Sequence, residues 1–81
     1  MNEIMTAVKN FILAEFLPGE DPNQLTPTTP LITGGILDSL STLRLVSFIQ
    51  ETYGVEVEPH EMGVDHLDSL EEITKLIQSK L

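Results

Sequence analysis

A chain of 81 residues is enough for one compact domain and leaves little room for a second core or a deep enclosed active site. Thirteen acidic residues against four basic ones give a formal net charge of -9 at pH 7; this field repels phosphate backbones and anionic headgroups, counts against nucleic acid and membrane, and favours basic protein surfaces. The absence of cysteine removes disulfides and thiolate metal sites, so packing must hold the fold.

From Glu3 to Leu17 the apolar residues Ile4, Val8, Phe11, Ile12 and Phe16 recur at the spacing of a helix with one buried stripe, which predicts a first helix over 3–17, stopped by Pro18-Gly19. Glu3, Lys9 and Glu15 interrupt the uninterrupted apolar run that a signal peptide or membrane span needs, and the protein is read as cytoplasmic and monomeric. Residues 18–37 hold four prolines, three glycines and several threonines, a composition that denies both helix continuation and regular strand pairing. Leu25, Leu31, Ile32, Ile36 and Leu37 are the residues expected to pin this long loop to the core.

A second helix is predicted over 39–53, with Asp38 as its N-cap, a wide apolar arc from Leu40 to Ile49, and Gly54 as its left-handed stop. Leu40 is expected to pack inward, while Ser41, Thr42, Arg44 and Ser47 are assigned to the exposed side. Pro59 suits the first position of a brief helix over 59–63 with Met62 as its apolar foot. The last helix, over 69–80, is read with Asp68 as N-cap, Glu71 as capping-box partner, and a stripe of Leu70, Ile73, Leu76, Ile77 and Leu81. The expected fold class is all-α: a four-helix bundle with a long loop between the first two helices, a short third helix, and residues 1–81 as one domain.

The segment Gly34-Gly35-Ile36-Leu37-Asp38-Ser39-Leu40 places a hydroxyl at the mouth of a helix, where unpaired N–H groups and the positive end of the helix dipole favour an anion. On position alone, the same Asp-Ser serves equally as a plain cap. Asp-Ser-Leu recurs at residues 68–70, but there Glu71 and Glu72 follow at once and would repel an added phosphate, so Ser69 is assigned to capping.

Asp38-Ser39-Leu40 opening a long apolar helix after Gly-Gly-Ile-Leu resembles the attachment signature of acyl and peptidyl carrier proteins, and the order of the elements agrees over nearly the whole chain. The resemblance implies a non-enzymatic carrier in which Ser39 bears 4'-phosphopantetheine donated by coenzyme A, with Asp38 as the neighbouring motif acid and Leu40 as its packing residue. Acyl or aminoacyl groups would ride on the arm's thiol as thioesters. Implied partners are a phosphopantetheinyl transferase, a loading ligase or adenylation enzyme, and downstream acyl-processing enzymes. Fatty-acid carriers present a row of acids early in the second helix; this chain has Ser41, Thr42, Arg44 and Ser47 there, which points to a dedicated pathway. Ile36, Leu40, Leu43 and Met62 are candidates for a partner surface or chain pocket, with ordinary core as the alternative for each.

Two rivals come from other classes. A hydrolase built on Gly35, Asp38, Ser39 and Leu40 with Asp65-His66 lacks the strand-fed nucleophile elbow, and the acids near His60 and His66 lack the spacing of a calcium loop. An unmodified acidic interaction module stands as the alternative to a carrier, and covalent modification of Ser39 discriminates between them.

Overall fold

The computed structural model describes residues 3–81. It contains helices α1 (Glu3–Phe16), α2 (Ser39–Tyr53), α3 (Val64–Leu67) and α4 (Leu70–Lys80), with 3-10 turns at Pro22–Gln24 and Pro59–Glu61. No strand occurs among the described residues, and the all-α bundle is the architecture that periodicity predicts. The radius of gyration, 11.4 Å, is close to the ~12 Å of a compact chain this long.

Helix α1 buries Val8 and Ile12 and packs against α4 and α2. Phe11 stacks on Phe48 of α2 with ring centroids 4.2 Å apart and meets Phe16 edge-on at 5.7 Å, so aromatic rings seal the α1–α2 seam. Helix α2 buries Thr42, Leu45, Val46 and Ile49, the i, i+3, i+4, i+7 set of one face. Gly54, at φ 65°, ends it: its N–H bonds to the Gln50 carbonyl in a left-handed conformation that a Cβ would oppose.

The long loop wraps, as its apolar residues predict. Leu25, Leu31 and Leu37 are buried to 3% exposure or less, and Ile32 and Ile36 pack half-buried on the same core. Each buried leucine contributes about 1.5–3 kcal/mol. The turn at Leu31–Leu37 is tight because the Leu31 carbonyl accepts from both Ile36 N and Leu37 N, at 2.9 and 2.8 Å. At Gly34 the backbone comes so close to Pro30 that an added Cβ would lie 2.3 Å from the Pro30 carbonyl oxygen, and only glycine fits.

The structure corrects two local expectations. The brief helix expected over 59–63 is a single 3-10 turn, Pro59–Glu61, and the third α-helix begins later, at Val64. Pro59 starts the turn, but the Glu61 carboxylate folds back to the Glu58 N–H at 2.9 Å and Gly63 takes an extended conformation that separates it from α3. The anchor of α3 is Leu67, which is fully buried; Met62 is half-buried. Helix α4 is capped by Ser69 rather than Asp68, and the Ser69 hydroxyl accepts from Glu72 N at 3.1 Å. Leu70, Ile73, Leu76 and Ile77 then form the buried stripe, whereas Leu81, expected with them, lies past the last helical residue and is exposed; Lys80 closes α4 onto the 3-10 turn through an ion pair to Glu61 at 2.8 Å.

Candidate attachment site

Asp38 sits outside α2 in an extended conformation, and its Oδ1 accepts from Ser41 N at 2.8 Å. This bond and the side-chain bond from Ser41 hold the Asp38 carboxyl below the ordinary aspartate value of 3.8. The Asp38 carbonyl accepts from Thr42 N at 2.9 Å and from the Thr42 hydroxyl at 2.7 Å. Thr42, expected on the exposed side, is buried because its hydroxyl is satisfied within the helix and its methyl can face the core.

With capping assigned to Asp38, Ser39 becomes the first helical residue. Its side chain is exposed, and its hydroxyl takes no part in the bonds that start the helix. The anion seat expected from free helix amides is altered, since Asp38 has put its own carboxylate there. Ser39 therefore offers a hydroxyl for a bond rather than a pocket for a bound anion.

Ser39 borders an open cleft of about 550 Å³, walled on one side by Ile32 and Leu37 of the loop and on the other by Met62, Gly63 and Val64, with Thr42 and Leu43 along α2. No histidine lines it. The exposed surface beside it is apolar: Leu43 is 54% and Val64 49% exposed. Leu40 is 71% exposed, against the expectation that it packs inward. The reason is angular: Thr42, Leu45, Val46 and Ile49 take the buried face of α2, which turns Leu40 and Leu43 outward together. Of the four candidate surface residues, Leu43 and Met62 line the cleft, Leu40 stands outside it, and Ile36 lines a separate small hollow with Leu17 and Leu25.

The second Asp-Ser-Leu differs at every position. Ser69 is the cap with its hydroxyl engaged, Leu70 is 1% exposed, and Asp68 reaches across the fold to the loop, where its Oδ1 accepts from Ile32 N at 2.8 Å and Thr33 N at 2.9 Å. Sequence reading missed this role, as well as Val64 on the cleft wall. Both depend on contacts distant in sequence, for which the local capping pattern carries no signal.

The family described as "Phosphopantetheine attachment site" matches residues 12–77. The chain belongs to that family. Its members bind 4'-phosphopantetheine covalently, and such a domain is a non-catalytic carrier. A solved chain superposes with a TM-score of 0.78 at 36% identity, covering 86% of this chain and 97% of that one, in a structure described as "Crystal structure of FAD-dependent dehydrogenase". No curated protein matches. The match takes in both Asp-Ser-Leu tripeptides, so the choice between their serines falls to the geometry. Among the described residues no group of three or more His, Cys, Asp or Glu could hold a metal ion, and no helix is long and apolar enough to cross a membrane.

Proposed function

We propose that residues 1–81 act as one carrier domain with 4'-phosphopantetheine attached through a phosphodiester to Ser39, holding acyl or aminoacyl intermediates for a dedicated biosynthetic pathway. The observation that carries this reading is the free, exposed Ser39 hydroxyl at the start of α2 beside an apolar cleft, while the other serine of the same tripeptide is spent on a cap. The residues present fit the group. Ser39 supplies the oxygen of the ester, Asp38 keeps the helix start rigid, and Leu43, Met62 and Val64 offer apolar surface alongside. In the attachment step the Ser39 oxygen forms the bond to phosphorus, 3',5'-adenosine bisphosphate leaves from coenzyme A, and the hydroxyl proton passes to a base on the transferase.

When bound, the arm supplies a terminal thiol that carries the cargo as a thioester, the thiol that a chain without cysteine lacks. The tether replaces diffusion by a high local concentration at each partner's active site. The exposed pair Leu40 and Leu43, with Val64 across the cleft, provides a predominantly apolar docking surface near the attachment point. Its partners in this reading are a phosphopantetheinyl transferase, a loading ligase or adenylation enzyme, and downstream acyl-processing enzymes. A flavin-dependent dehydrogenase is placed among the last on the single ground of the solved relative's description. Monomeric action in the cytoplasm completes the proposal.

Intact mass after incubation with coenzyme A and a broad-specificity transferase tests it. Wild type and Ser69→Ala should each gain one phosphopantetheine and Ser39→Ala none. No gain by folded wild type would favour the unmodified interaction module.

A further inference from the structure

The two walls of the cleft beside Ser39 come from segments far apart in sequence, and they meet at one residue. Asp68 directly follows α3, whose start, Val64, stands on one wall. It also holds three consecutive amides of the loop, the middle one belonging to Ile32 of the cleft lining: its carbonyl accepts from Leu31 N at 2.6 Å and its carboxylate from Ile32 N and Thr33 N. The Thr33 hydroxyl adds contacts of 3.2 Å to Oδ1 and 3.0 Å to Oδ2. These bonds continue toward the attachment residue, because the Leu31 carbonyl holds Ile36 N and Leu37 N, and Leu37 abuts the Asp38 cap. A neighbouring bond, from Glu71 N to the Pro27 carbonyl at 3.0 Å, fastens the same loop to the first turn of α4.

We propose that Asp68 is a positioning residue for the attachment site, a clasp that fixes the loop leading into Ser39 against the α3–α4 junction and so sets the form in which the hydroxyl and its cleft are presented to partner enzymes. The proposal rests on the assignment of Ser39 as the attachment residue. Charge-assisted bonds to several backbone donors make a carboxylate suited to this task, and no apolar side chain at position 68 could replace them. Without the carboxylate, the loop is held by its leucines, by the Leu31 N–H bond to the backbone carbonyl of residue 68 and by the Glu71 amide, so the domain stays folded while its entry into α2 samples other arrangements. A partner then meets the competent form only part of the time, which raises the apparent KM for the carrier and leaves kcat unchanged.

The test titrates apo-protein against a phosphopantetheinyl transferase with coenzyme A, using wild type, Asp68→Ala, Asp68→Asn and Ser69→Ala. Asp68→Ala should raise KM by about tenfold with kcat within about twofold, Asp68→Asn should fall between because it keeps one acceptor oxygen, and Ser69→Ala should stay within about twofold of wild type in both. Ser69→Ala removes the adjacent cap and weakens α4 without removing any bond to residues 31–33, so an equal KM rise in it would show mere destabilisation and overturn the proposal. Wild-type KM in folded Asp68→Ala would also overturn it. If Asp68→Ala does not fold, amide NMR of Asp68→Asn decides. Shifts should reach Ile36, Leu37 and Ser39, and shifts confined to Ile32 and Thr33 would sink the clasp. Failure of wild type to accept any arm would instead strike the Ser39 assignment, and the NMR result would still judge the clasp.

Discussion

The two Asp-Ser-Leu tripeptides are identical in composition, and each opens a helix, yet they share no side-chain environment. At residues 38–40 the aspartate caps, the serine is free and the leucine faces solvent. At residues 68–70 the aspartate leaves for another part of the fold, the serine caps and the leucine is core. The difference is a shift of one residue in where the helix starts: after Asp38 in α2, after Ser69 in α4. A cap at the serine consumes its hydroxyl, whereas a cap one position earlier releases it and turns the following leucine by about 100° relative to the helix start.

Breaking each tripeptide in turn makes the contrast measurable. The largest effect is expected at the leucines. Leu70→Ala should destabilise by about 2–5 kcal/mol through a core cavity, and Leu40→Ala by no more than about 0.5 kcal/mol, both read from urea unfolding midpoints. Equal losses would mean that the two faces have been misassigned. On the approach to Ser39, Gly34→Ala should cost about 1–3 kcal/mol, since the turn must open to accept a Cβ against the Pro30 carbonyl. Ser69→Ala should cost about 1 kcal/mol, while Ser39→Ala, which removes no capping bond, should leave the midpoint almost unmoved.

The aspartates sharpen the comparison through pH. The Asp68 carboxyl lies below the ordinary value of 3.8, held first by the Thr33 backbone N–H, then by the Thr33 hydroxyl and Ile32 N–H; Asp38 is lowered by Ser41. A carboxyl lowered by folding stabilises the native state fully above its unfolded value. That contribution fades as pH falls below 3.8 and is gone below the lowered native value. Thermal unfolding followed downward from pH 5 should therefore show a falling Tm, and Asp68→Asn should flatten the fall. An unchanged slope in Asp68→Asn would mean that the carboxylate is not bound to the loop amides.

Much of this architecture is legible in the sequence where the determinants are local. The stripes of α1 and α4, Asp38 as cap, Gly54 as stop and Ser39 at a helix start all follow from residues a few positions apart. Apolar character alone points Leu40 to the core, but at 100° per residue it falls nearly opposite the face of Thr42, Leu45, Val46 and Ile49, which leaves it outside. Pro59 does begin a turn, as the sequence predicts, but Gly63 breaks it, and the third helix starts later because Leu67, further on, supplies the anchor. Asp68 presented every local sign of a cap, and its actual partners lie 35 and 36 positions away at Thr33 and Ile32.

The most direct measurement is a tryptic map of the wild-type protein after transfer from coenzyme A. Lysine and arginine occur only at Lys9, Arg44, Lys75 and Lys80, so cleavage separates residues 10–44, which hold Ser39, from residues 45–75, which hold Ser69. The arm should appear on the first peptide alone, and fragmentation should place it on Ser39 rather than Ser41. An arm on the second peptide, or on Ser41, would contradict the assignment of function to the serine that the register of α2 leaves free.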